Sequence, residues 1–128
     1  MIAHSDGDVI IHAVSDAILG AMGLGDIGRH FPDTDAQHKD IRSIEILKKV
    51  VLIMKENGFS INNVDTVLLA EEPKISPFKN DMIRIISSAL GVDEKKVNIK
   101  ATTSEGVGAI GRLEAVAAYA VVSLREKA

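Results

Sequence analysis

Three features predict an α+β domain with helices laid against one sheet. Apolar residues recur at helical spacing in three segments, two short stretches rich in Val, Ile and Thr lie downstream, and Gly or Pro marks the junctions between them. The chain has 128 residues and is 46% hydrophobic, enough for one compact domain over residues 1–128 and too little for two ordinary ones.

From about Asp8 to Met22, Ile10, Ala13, Val14, Ala17, Ile18 and Ala21 form one apolar face, with His12 and Asp16 on another side. Ser5, three residues before Asp8, reads as a capping-box-like start for this helix. Gly23 and Gly25 end it, and a turn-rich segment follows from Gly25 to Asp35. A second helix is predicted over about Ile41–Asn57, with Leu47, Val50, Val51 and Met54 inward and Gly58 as its stop. Ile61–Ala70 reads as a strand. Ser76 and Pro77 predict the N-cap and first position of a third helix, carrying Met82, Ile85, Ile86 and Ala89 to Leu90 before Gly91. Val97–Thr103 reads as a short strand. Gly106, Gly108 and Gly111 then free the backbone for tight turns, as a phosphate loop requires. The apolar run Val116–Val122 fits either a buried strand or a helix.

Composition narrows the function classes. A net charge of −3 and 3% aromatic content argue against nucleic acid as a partner, since phosphates need cations and bases need stacking platforms. No apolar run is long enough for a membrane span and no signal-peptide pattern opens the chain, so a soluble, cytoplasmic protein is expected. The sequence has no cysteine, no complete Walker A motif and no Rossmann glycine fingerprint.

Chemistry concentrates at two places. The stretch from Ala3 to His12 sets His4, His12, Asp6, Asp8 and Ser5 around Gly7. Asp8 and His12 stand one helical turn apart, as a metal-ligating imidazole and its orienting carboxylate would. The competing reading is a capped helix with surface polar residues. Thr102, Thr103, Ser104 and Glu105 place three hydroxyls and a carboxylate at a strand end, which suits phosphate oxygens and a hydrated divalent ion, or an ordinary turn. Arg112 and Lys74 are either phosphate contacts or surface ion-pair groups.

Taken in order, Ala3-His4-Ser5-Asp6-Gly7-Asp8 with His12, Gly25-Asp26-Ile27-Gly28 with Phe31-Pro32-Asp33-Thr34-Asp35, Pro73-Lys74, and Lys100-Ala101-Thr102-Thr103 with Glu105, Gly111 and Arg112 make the chain similar to the 2-C-methyl-D-erythritol 2,4-cyclodiphosphate synthase family. The similarity spans essentially the whole sequence. It implies a chorismate-mutase-like mixed sheet, a homotrimer with sites between subunits, and a final strand in place of the ambiguous segment. The implied reaction belongs to non-mevalonate isoprenoid biosynthesis: the 2-phosphate of a cytidine diphosphate derivative attacks its own β-phosphorus and releases CMP. Positioning and charge neutralisation suit such a step better than a protein nucleophile.

The resemblance also implies roles. His12 would ligate zinc and Glu105 would approach magnesium or manganese on the diphosphate. His4 and Thr103 would stabilise developing charge. His4 and Ser5, with Asp26, Ile27, Gly28 and the loop Phe31, Pro32, Asp33, Thr34 and Asp35, would hold the methylerythritol phosphate. The cytidine end falls to Ala70, Glu71, Glu72, Pro73, Lys74, Ile75 and Ser76 and to Thr102, Thr103, Ser104 and Glu105. Arg112 completes the phosphate contacts, and Ala109 stands where many members place Phe, leaving a backbone contact. Members of the family supply two further zinc ligands from an N-terminal Asp-x-His strand. No Asp-x-His occurs in these 128 residues, which start at the Ala-His-Ser motif. The resulting expectation is a chain shortened at its N-terminus, with weak zinc binding and little turnover; the alternative is a non-catalytic trimer that binds cytidine nucleotides.

Overall fold

The computed structural model describes residues 2–32, 42–70, 78–102, 106–111 and 116–127. Its elements run α1 (Ile2–Ala21), α2 (Ile27–His30), α3 (Ser43–Glu56), β1 (Phe59–Leu69), α4 (Lys79–Leu90), β2 (Val97–Thr102), α5 (Gly108–Gly111) and β3 (Ala117–Glu126), with a 3-10 turn over Glu94–Lys96. Among the described residues there is one mixed sheet, ordered β2-β1-β3. The β1–β2 pair is parallel and the β1–β3 pair antiparallel.

One face of that sheet is the core. Val64, Thr66 and Leu68 of β1 stand beside Val97 and Ile99 of β2 and beside Ala118, Ala120, Val122 and Leu124 of β3. Helix α1 lies against β3 and α3, while α4 lies against β2 and α3, so the helices cover that face. Ile10, Val14, Ile18, Leu47, Val50, Met54 and Ile86 are buried between the layers. Thr66 remains inside because its hydroxyl donates to the Asn98 carbonyl at 3.1 Å. A bulge at Asn62 shifts the β1–β3 register, and the Asn62 amide donates to the Ser123 hydroxyl.

The final segment is a strand. Its inward residues alternate with Tyr119 and Val121, which are exposed. The stops expected at Gly58 and Gly91 both adopt positive φ, 83° and 70°, and the two Gly91 bonds to Ser87 and Ser88 close α4.

Three expectations need correction. Helix α1 starts at Ile2 rather than near Asp8, so Ser5 and Asp8 lie within it and form no capping box. The Asp8 carboxylate instead accepts a hydrogen bond from the Ser43 hydroxyl. Helix α4 starts at Lys79 with Phe78 at its N-cap, and the predicted cap at Ser76 and Pro77 lies outside the described residues. Ile85 is 45% exposed because it sits on the outer side of α4, away from Met82 and Ile86.

Ser15 is fully buried in α1, and its hydroxyl is the one buried side-chain polar atom without a partner among the described residues. A buried donor without an acceptor costs desolvation energy for no return. Ser15→Ala should therefore leave the unfolding free energy unchanged or raise it by up to about 1 kcal/mol in urea denaturation.

Candidate functional site

Parallel strands joined by a helix leave their carboxyl ends open, and ligands of such sheets bind there. Strands β1 and β2 end together: Leu69 is the partner of Thr102, and the next amide, Ala70 N–H, donates to the Thr102 carbonyl at 3.1 Å. Strand β3 begins at the same end, with Ala117 opposite Leu69. Ala70, Thr102 and Val116 thus lie at one end of the sheet. Ala70 and Thr102, both sequence-predicted nucleotide contacts, are separated by some thirty positions along the chain. Ala70 is half-buried and Thr102 exposed, while Glu71–Ser76, Thr103, Ser104, Glu105 and Arg112 lie outside the described residues.

After β2, Gly106 and Gly108 take φ of 80° and 71°, a conformation that side-chain-bearing residues rarely adopt. They turn the chain into α5, which carries Ala109. Gly106 and Gly108 therefore make the tight turns expected of them, while Gly111, expected to do the same, is the last residue of α5.

The other half of the predicted site lies on α1 and on the segment after it. His4 and Ser5 fall in the first turns of α1, and His12 is exposed near its middle. In this helix Gly7 passes so close to α4 that an added Cβ would lie 2.9 Å from the Met82 sulfur. The glycine of the Ala-His-Ser-Asp-Gly-Asp motif is thereby explained by helix packing.

Asp26 caps α2, its carboxylate accepting from Arg29 N–H at 2.9 Å. The Ile27 amide donates to the Asp16 carboxylate at 2.7 Å. The His30 ring is hydrogen-bonded through Nε2 to the Leu24 carbonyl, and Phe31 N–H donates to the Ile27 carbonyl. Phe31 itself is buried in the core, and Pro32 is half-buried. Gly28 stays exposed between the two carboxylate-held neighbours. Asp33, Thr34 and Asp35 lie outside the described residues.

Lys100, part of the motif at the end of β2, is placed by the structure on the uncovered face of the sheet. Its ammonium pairs with Asp65 at 2.8 Å, and Asn98 donates to the other Asp65 oxygen at 2.9 Å. The Lys100 bond, then the Asn98 bond, hold the Asp65 carboxyl below its ordinary value.

Zinc needs a closed set of ligands, and His12 brings one imidazole. Among the described residues no three His, Cys, Asp or Glu side chains converge. The described residues do not by themselves make a zinc site. No helix among them is long and apolar enough to cross a membrane.

Two residues at this end were missed in the sequence, Asp16 and Ser43. Asp16 carried a faint signal, since it follows His12 by one turn on the same side of α1. Ser43 carried none, because its partner is 35 positions away.

Comparison with known proteins agrees with this layout. Residues 1–125 match the YgbB family. The 2-C-methyl-D-erythritol 2,4-cyclodiphosphate synthase of Nitrosococcus oceani is 50% identical over 127 residues, 99% of this chain and 80% of the relative. The bifunctional enzyme IspD/IspF of Wolbachia pipientis is 53% identical over 122 residues, covering 95% of this chain and 31% of that larger protein. Among solved structures, the bifunctional IspDF of Campylobacter jejuni superposes with a TM-score of 0.89 at 46% identity, over 96% of this chain and 33% of its own. The Plasmodium falciparum IspF complex with CDP superposes with a TM-score of 0.84 at 37% identity, over 98% of this chain and 75% of its own. On the family match and on identities of about one half over nearly the whole sequence, the chain belongs to the YgbB family, the family of the 2-C-methyl-D-erythritol 2,4-cyclodiphosphate synthases.

Proposed function

We propose that the chain converts 4-diphosphocytidyl-2-C-methyl-D-erythritol 2-phosphate to 2-C-methyl-D-erythritol 2,4-cyclodiphosphate and CMP; its relatives are named for making that cyclodiphosphate. The observation that carries the reading is the joined end of β1 and β2. The Ala70–Thr102 bond joins the first residues of the two nucleotide-assigned segments at the end of the sheet, and a relative of similar fold is a CDP complex.

In the reaction an oxygen of the 2-phosphate forms a bond to the β-phosphorus. The bond from that phosphorus to the oxygen it shares with the α-phosphate breaks, and CMP leaves with the electron pair. The attacking oxygen is already an anion, so the protein's work is to hold both ends of one flexible molecule and to offset charge. Cytidine contacts come from residues 70–76 and 102–105, methylerythritol contacts from His4, Ser5, residues 26–28 and 31–35, and phosphate contacts from Arg112 and the backbone at Ala109. His4 and Thr103 offset the charge that develops. Divalent ions, when bound, would supply further neutralisation; His12 would be a zinc ligand and Glu105 would approach magnesium or manganese. A homotrimer of chorismate-mutase-like subunits, with sites between neighbours, completes the reading, as does a soluble, cytoplasmic location.

The test is to supply the substrate with zinc and magnesium and to follow CMP release together with the phosphorus NMR signals of the cyclic product. CMP and cyclodiphosphate should appear in equal amounts. Binding of CDP without turnover would reduce the protein to a nucleotide-binding member of its family, and failure to bind CDP would overturn the reading altogether.

A further inference from the structure

The phosphates of a cytidine diphosphate need cations, and the strands of the sheet offer few. Among the described strand residues, Lys100 and Arg125 are the basic side chains. Arg125 is the partner of Ser60, at the far end of the sheet from Ala70 and Thr102. Lys100 stands two residues before Thr102 on β2, so the two side chains share the uncovered face, with Cα atoms about 6.6 Å apart. The flexible four-carbon stem of a lysine spans a distance of that order.

In this structure the ammonium turns the other way. Asp65 is the β1 partner of Asn98, two residues back from Lys100, and its Oδ2 accepts from Lys100 Nζ at 2.8 Å. The pair holds loosely: its side chains are 56% and 39% exposed, and ion pairs in such settings add little to stability. The Asn98 amide donates to Asp65 Oδ1 at 2.9 Å, so the carboxylate keeps a donor when the ammonium leaves. Asp65 and Glu126 are the carboxylates of the described strand residues, and Glu126 lies at the far end opposite Phe59. Within the strands, Asp65 alone competes with a phosphate for Lys100.

We propose that Lys100 is a phosphate-binding residue of the nucleotide site that exchanges Asp65 for a phosphate of the cytidine diphosphate, with Asp65 and Asn98 as its positioning residues; this rests on the function proposed above. No covalent bond changes in the exchange. An exposed ion pair gives way to a charge-assisted contact with a more highly charged group. A purely structural role, in which the pair staples β1 to β2 on their open face, predicts something different. Loss of either partner would then loosen the same strand ends and weaken nucleotide binding alike. The exchange separates the two, because Lys100 favours the phosphate while Asp65 competes for it.

The test compares CDP, titrated by calorimetry, with cytidine, titrated by NMR shifts that read weak affinities; the two ligands differ only in the phosphates. Lys100→Met keeps an unbranched stem without the charge. It should bind CDP about tenfold more weakly than the wild type, ~1.4 kcal/mol, and bind cytidine equally well. Lys100→Arg should recover most of the loss. Asp65→Asn should bind CDP at least as tightly as the wild type. Equal CDP affinities in the wild type and Lys100→Met would overturn the phosphate contact, and so would a parallel loss for CDP and cytidine. An Asp65→Asn variant as impaired as Lys100→Met would overturn the exchange in favour of the staple. A wild type that binds no CDP would overturn the proposed function and this contact together, an outcome distinct from a wild type and a Met variant that bind it equally.

Discussion

A chain carrying Ala70→Pro should bind CDP at least about tenfold more weakly than the wild type, a loss of ~1.4 kcal/mol or more. Proline has no N–H, so the hydrogen bond to the Thr102 carbonyl disappears and with it the tie between the ends of β1 and β2. Rings at such positions also resist the backbone geometry around them, and the combined cost is borne at the edge of the sheet instead of in its core. Titration calorimetry with CDP reads the effect, and circular dichroism should show the helices and strands intact. Ala70→Ser keeps the amide and should change affinity by no more than about twofold, since a lost hydrogen bond is what the proline variant tests. Equal affinities for all three proteins would remove the sheet edge from the nucleotide site.

The largest effect on stability is expected at Leu47. It is fully buried on α3, the helix that α1 and α4 both contact. Leu47→Ala should cost about 2–5 kcal/mol, the transfer energy of the lost side chain plus the cavity left behind. A domain of this size is stable by only about 5–15 kcal/mol, so the melting temperature should fall by roughly 10 °C. Leu52, on the same helix but 58% exposed, provides the control. Leu52→Ala should stay within about 0.5 kcal/mol of the wild type in the same calorimetric scan.

Leu47 and Leu52 also illustrate what a sequence makes legible. Helix α3 reads correctly because its apolar residues recur at one period and Gly58 ends it with a backbone that few other residues tolerate. The C-terminal strand reads poorly because Tyr119 and Val121, on the uncovered face, are as apolar as Val122 and Leu124 on the covered one. Alternation is visible only when the two faces differ in polarity. The start of α1 was misplaced for another reason. Ser5 and Asp8 match the spacing of a capping box, but Asp8 is occupied by Ser43 on a different helix, and no local pattern records so distant a partner.

The site divides along the same line. Residue types and order pointed to both of its halves, and the family resemblance assigned them to a nucleotide end and a methylerythritol end. Which groups remain available for a ligand depended on the fold. The Asp26 carboxylate is engaged as a helix cap, and the Phe31 ring is part of the core. Each of these residues belongs to a recognisable motif, yet its side chain serves the architecture that presents the neighbouring backbone.

The placement of β3 has a consequence for how the protein is made. This strand supplies much of the surface on which α1 rests and pairs with β1 along nearly its whole length, yet it is translated after every other described element. Until β3 leaves the ribosome, the part of α1 that rests on it and one edge of β1 have no cover, and the nascent chain presents the kind of surface that chaperones bind and that aggregates. Pairings so remote in sequence also form slowly. Synthesis and folding are thus coupled at the last strand, and a ribosome paused just upstream of it would hold a chain whose helices have formed but whose central layer has not closed.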